Sequence, residues 1–468
     1  MLKENCDSKS LEYGKRCGHF CKAAWRALFS TSSLLALLPV VLVAQAPVTA
    51  PQGTDATPVY GGGVQVPLLF EGEVVPVNQV SLSMGATTFY DDNVFGTNAD
   101  RVSDEAASFD AHLGITKQST RMNVSVDYTP VFLLYHHYDV FDRANHFGNL
   151  TLDYRLTSKF VLGLHDTASY QNGEEYAFPT VLSITAGPPS PSSIYSNLYT
   201  YTTRILSDAS GLDLTYVKSR RASVTFSGGY SLLNYGAHTA SLPLYNVNEY
   251  SGSLAFKYFL SEHTSFGILL LHQDSTYQGG EVFGHFQRSQ VESSYLSLGF
   301  APSPTVKVTV FGGPQYIDTV GQVSATGRVA THFQASGGGS VTKEVRKTAI
   351  SATFQRSVTG SGGLYTSEIS TFANFAVRRS LVGSWEADLH AGASREAASL
   401  FKLANGRTDG LFGGVIIRRP LRRGAMFHVS YESYHQLSSG TLPIFVNLDR
   451  NQIAAGIDYQ FKPLPLGR

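Results

Sequence analysis

Side chains able to do acid–base or metal chemistry are sparse in this chain. The densest run is His136-His137-Tyr138-Asp139, two imidazoles, a phenol and a carboxylate in four positions. Such groups can shuttle protons, but hydrolysis also needs a nucleophile within hydrogen-bond reach of the base, and the sequence places none. Polar residues at a loop tip explain the run equally well, so no catalytic site and no enzyme is expected. The three cysteines, Cys6, Cys17 and Cys21, all lie in the first 21 residues. The Cys17-x-x-x-Cys21 spacing is half of a zinc site without a second half. If that segment is removed, the mature protein has no cysteine. Gly337-Gly338-Gly339 and Gly360-Ser361-Gly362-Gly363 lack the strand-to-helix context of a phosphate cradle and are expected to allow bends or loop turns. No metal and no cofactor is expected.

The remaining candidates are charges scattered along alternating segments: Asp153, Arg155, Asp213, Lys257, Lys307, Arg378, Glu386, Asp388, Arg418, Glu432 and Asp458. Each shares a face with Ser, Thr, Gly, Asn and Gln, opposite a row of apolar residues. If these segments enclose a lumen, the charges line it and set ion preference. Some are expected simply to support the wall as solvated or cross-strand-paired residues. The chain holds 36 basic and 36 acidic residues, for a formal net charge of zero. That balance predicts weak charge selectivity and argues against a nucleic-acid surface.

Composition indicates which elements must position these groups. Charged residues make up 15% of the 468 positions and hydrophobic residues 43%, whereas about 25% charge is usual. Low charge without high hydrophobicity suits a membrane β-barrel, whose apolar residues are spread one in two along strands. The 25 Tyr and 28 Phe suit aromatic girdles. The last strand shows the pattern: Ile453, Ala455, Ile457, Tyr459 and Phe461 fall on one face, and Gln452, Ala454, Gly456, Asp458 and Gln460 on the other.

From Gln79 onward the alternation is continuous and predicts eighteen strands, with 16 or 14 as alternatives. They are residues 79 to 90, 105 to 118, 120 to 135, 144 to 157, 159 to 171, 198 to 217, 220 to 235, 246 to 260, 262 to 275, 286 to 300, 303 to 316, 323 to 342, 345 to 358, 364 to 379, 381 to 397, 406 to 419, 423 to 438 and 448 to 461. Short connections such as Thr157-Ser158-Lys159, Ser261-Glu262-His263 and Pro302-Ser303-Pro304 alternate with longer ones. The longest, Gln171 to Asn197, is the expected constriction. A closed antiparallel barrel with short turns on one side of a membrane and long loops on the other alternates in this way. The glycosylation sequons at Asn123 and Asn149 both fall inside expected strands.

Residues 1 to 44 have the layout of a signal peptide, with a basic stretch from Lys3 to Arg26 and an apolar run from Ala27 to Ala44. Residues 45 to 78, with Pro47, Pro51, Pro58, Pro67, Pro76 and Gly61-Gly62-Gly63, are expected to be a periplasmic linker. The barrel is expected to occupy 79 to 461, and 462 to 468 to form a C-terminal tail.

The segment Tyr90-Asp91-Asp92-Asn93-Val94-Phe95 resembles an element near the start of outer-membrane β-barrel porins, including the exopolysaccharide-associated type. Residues 79 to 461 are similar to those families in length and in segments such as Tyr154-Arg155-Leu156-Thr157 and Tyr258-Phe259-Leu260-Ser261. Gly456, Tyr459 and Phe461 resemble the terminal signal read by the β-barrel assembly machinery, although Lys462 to Arg468 follow it. The resemblance implies a place in the cell outer membrane, with lipid and the assembly machinery as partners. The implied cargo is small polar solutes or a polysaccharide. The competing expectations are a structural or adhesive barrel with a blocked lumen and a barrel hydrolase.

Overall fold

The computed structural model describes residues 78–96, 98–99, 101–172, 204–236, 245–278, 286–321, 330–359, 368–398, 407–421, 424–439 and 447–466. The chain divides into two units, Met1–Gly53 and Thr54–Arg468. The first unit, the expected signal peptide and nearly all of the expected linker lie outside the described residues.

The second unit is all β. Its strands are β1 (Gln79–Asp91), β2 (Asp104–Gln118), β3 (Met122–Tyr135), β4 (Arg143–Arg155), β5 (Phe160–Asn172), β6 (Arg204–Ser219), β7 (Ala222–Tyr235), β8 (Asn246–Phe259) and β9 (Thr264–Gln278). They continue as β10 (Phe286–Ser303), β11 (Val306–Gly321), β12 (Ala330–Val345), β13 (Thr348–Thr359), β14 (Glu368–Ser380), β15 (Glu386–Ala398), β16 (Arg407–Pro420), β17 (Ala425–Ser439) and β18 (Leu448–Gln460). Each pairs antiparallel with the next, and β1 pairs with β18 from Ser83↔Gln460 to Asp91↔Gln452. The sheet is therefore closed into an eighteen-strand barrel, and all eighteen expected strands are present. The largest differences are at starts: the segment expected at 323 begins at Ala330, and that expected at 198 begins at Arg204.

Alternation of short and long connections holds around the wall. The β2–β3, β6–β7, β10–β11 and β12–β13 turns are tight, whereas β5 and β6 are separated by residues 173–203. The loop expected as a constriction lies almost wholly in that interval, outside the described residues. At the β16–β17 turn Gly424 takes φ +81° and accepts a backbone hydrogen bond from Gln460 at 2.9 Å.

Facing follows strand parity. Met84, Phe109, Phe132, Leu212, Phe226, Leu254, Leu298, Val310, Phe354, Leu389 and Ile457 are exposed, while Ser83, Thr87, Ser108, Ser231, Thr353 and Asp458 are buried. This inverts the arrangement of a soluble protein, because polar side chains are sequestered inside the ring and apolar ones form the outer surface. A contiguous apolar exterior this large is unfavourable in water. In hydrocarbon it is favourable, and closure leaves no sheet edge unpaired. The wall is built to span a membrane.

Two details extend the sequence reading. The tail does not leave the sheet at Phe461: a short strand, β19 (Leu464–Pro465), pairs with Gln79 and Val80, and Leu466 N–H donates to Asn78 O at 2.8 Å. Gly337-Gly338-Gly339 lies inside β12 and forms no loop turn. A Cβ on Gly338 would stand 2.3 Å from Phe354 O, so close backbone approach is what requires glycine. The Gly360 to Gly363 run is outside the described residues.

Candidate functional site: the inward face and its closing seam

The seam between β1 and β18 is locked at the long-loop end. Asp91 is fully buried and accepts from Arg450 Nε at 2.7 Å, from Arg450 Nη2, from Gln452 Nε2 at 3.0 Å and from Asn93 N–H at 3.0 Å. Asp92 accepts from Asn451 N–H and Nδ2, both at 2.7 Å. Asn93 Nδ2 donates to Asp449 O at 2.8 Å. Val94 then enters an apolar cluster with Phe89, Leu133, Tyr135 and Phe141, and Phe95 packs against it. The whole Tyr90 to Phe95 element thus joins the first strand to the last. Breaking a buried ion pair from one side costs about 3–5 kcal/mol.

Below this lock, charged inward residues meet across neighbouring strands. Asp388 on β15 accepts from Arg378 Nε on β14 at 3.0 Å and from Arg418 Nη1 on β16. Arg418 is 1% exposed, and among the described residues its Nε and Nη2 have no hydrogen-bond partner. His390 Nε2 lies 2.8 Å from Glu432 Oε2, two strands away on β17. Gly414 sits between them in register, and a Cβ there would stand 2.1 Å from the Glu432 carboxylate. The same device recurs at Gly456, which lies between Thr87 and His428. His428 Nδ1–H donates to Asp458 at 3.1 Å, and its Nε2 is 3.3 Å from Thr87 Oγ1. Missing side chains let charges reach across a third strand.

The residues expected on the inward face all fall on the side opposite the apolar row, but they do not form one cluster. Arg378, Asp388 and Arg418 are brought together, with Glu386 facing Arg418 across the β15–β16 pair. Glu432 and Asp458 each meet a histidine. Asp213 lies 3.5 Å from His165 Nδ1, and Asp153 and Asp213 flank Gly163 from the two neighbouring strands. The Lys257 ammonium stands 4.9 Å over the Phe259 ring. Arg155, Lys257 and Lys307 are exposed near the short turns. Of the expected assembly residues, Gly456 lies inward, whereas Tyr459 and Phe461 are exposed with rings 4.8 Å apart, edge to face. Phe461 N–H donates to Leu82 O at 3.0 Å.

Arg450, His390 and His428 are not among the sequence candidates, and Asp91 is named only within the Tyr90 to Phe95 element. All four stand at inward parity in alternating segments, which is the signal that locates them.

No protein-family description and no curated protein sequence matches the chain. Solved structures do resemble it. The ferric citrate transporter FecA in the unliganded form is 11% identical with a TM-score of 0.43, matched over 82% of this chain. This chain spans 64% of FecA's length. Pseudomonas aeruginosa OccK2 (OpdF), solved in complex with glucuronate, is also 11% identical at a TM-score of 0.43, covering 82% of this chain and 99% of that one. The outer membrane protein OpdK from Pseudomonas aeruginosa is 12% identical at 0.42, covering 82% and 99%.

Proposed function

We propose that this chain is an outer-membrane β-barrel forming a passive channel for small polar solutes. The carrying observation is the closed eighteen-strand wall with an apolar exterior and an inward face of charged and polar side chains. A wall of this strand number encloses an aqueous lumen if nothing fills it. The inward face is uneven. From β15 through β18 to β1 it is packed with buried pairs such as Arg418–Asp388, His428–Asp458 and Arg450–Asp91. Toward the short turns, in contrast, Asp153, Arg155, Lys257 and Lys307 are exposed. Solute passes Asp153, Arg155, Asp213, Lys257 and Lys307 as lining groups, with the Arg378–Asp388–Arg418 cluster biasing the field. Residues 1–44 act as the export signal, 45–78 as a periplasmic linker, and Gly456, Tyr459 and Phe461 as the segment recognised during assembly. Export of a surface polysaccharide is the larger-cargo form of the same reading.

The test is conductance of refolded, full-length mature protein in planar bilayers. Stable stepwise openings support the channel. A sealed wall with no openings would favour a structural or adhesive barrel.

A further inference from the structure

The His136-His137 run gains a partner that spacing does not disclose. The β2–β3 hairpin turns at its short end, so the far ends of both strands lie side by side, with Ala106 opposite Tyr135. This brings Asp104, the first residue of β2, against the two histidines that follow β3. His137 Nδ1 is 2.8 Å from Asp104 Oδ1, and His136 Nδ1 is 3.2 Å from His137 Nδ1. All three donor atoms lie within 4.8 Å of one another.

We propose that Asp104, His136 and His137 form a binding site for a borderline divalent transition cation such as Zn2+. Ligand distances of about 2.0–2.1 Å put the donors of a tetrahedral zinc site roughly 3.3 Å apart, and the two spacings that involve His137, 2.8 and 3.2 Å, lie near that edge. The carboxylate is held in advance. Its side chain is fully buried, and it accepts backbone N–H bonds from Glu105 at 2.8 Å, His137 at 3.1 Å and Tyr138 at 3.2 Å. Ligands fixed by a surrounding shell lose less freedom on binding metal. The histidine segment is also fixed: Asp142 Oδ1 accepts from Tyr135 N–H at 2.7 Å, and Phe95 packs edge-on against Tyr138 and Phe141 at 5.3 and 5.4 Å.

Binding takes the Nδ1 position of His137 that faces Asp104: a neutral ring then keeps its single proton on Nε2, whereas a doubly protonated ring must release one proton to solvent, so acid competes with the metal. Both rings are exposed, which leaves at least one coordination position open to water or to an outside donor. Two imidazoles and one carboxylate select Zn2+, Ni2+ or Cu2+ over Ca2+ and Mg2+.

The test is Zn2+ titration of tag-free refolded protein by calorimetry, with Cu2+ electron paramagnetic resonance on the same samples. The wild type is expected to bind one ion at micromolar concentration or tighter, with the Cu2+ signal split by two imidazole nitrogens. His136→Asn and His137→Asn, at exposed positions, should each weaken binding at least about tenfold, and the double variant should lose the two-nitrogen signature. The chain has 14 histidines, so unchanged binding in the double variant would assign the ion elsewhere and overturn the site. Absence of micromolar binding to the wild type would overturn it as well. Neither result bears on conductance.

Discussion

Asp91 and Arg450 stand 359 positions apart in sequence, and their side chains form a fully buried ion pair across the seam. Asp91→Ala leaves the Arg450 guanidinium buried against an apolar methyl. The expected cost is about 3–5 kcal/mol, read as a lower urea midpoint for unfolding from lipid. Arg450→Met in the same background should recover part of that loss, because the remaining charge is then removed too. An unchanged midpoint in Asp91→Ala would mean that the seam is held by its backbone ladder alone.

Leu254 is exposed on the outward face of β8 and Ser253 lies inward beside it. Leu254→Arg should destabilise the barrel by about 2–4 kcal/mol near the bilayer midplane. Ser253→Arg, which points toward polar neighbours, should be tolerated and should alter conductance. Refolding yield and urea midpoint of the two variants side by side check the facing. Equal tolerance would contradict it.

Asp388 receives two guanidiniums and is the only acid in direct contact with both among the described residues. Asp388→Asn leaves Arg378 and Arg418 without that counter-charge, adding one net positive charge to the inward face. The reversal potential in a salt gradient should shift toward anions, and the effect should shrink at high ionic strength. A shift toward cations would contradict this assignment.

Much of this organisation was legible in the sequence. The two-residue period assigned Leu254, Phe226 and Ile457 outward and Asp388, Arg418 and Asp458 inward, because a strand has only two faces and lipid disfavours charge on the one that faces it. Connection lengths located the turns. The Asp91–Arg450 pair was not legible, since sequence order says nothing about the register in which a first strand meets a last one. Nor was the trio of Asp104, His136 and His137, because the separation of 32 positions is closed only by the hairpin. Gly338 was read as a bend signal, whereas it accommodates the Phe354 carbonyl of the next strand. The tail after Phe461 lacks a recognisable period over its few residues, and only pairing with Gln79 and Val80 gives it a place.

The most direct test of the central claim is single-channel recording on refolded protein in planar bilayers, with Lys257→Glu, exposed on the inward face near a short turn, as the paired variant. The account predicts stable stepwise openings for the wild type and, for the variant, openings of similar frequency with a reversal potential displaced toward cations. Bilayers that stay silent with correctly refolded barrel in them would contradict it.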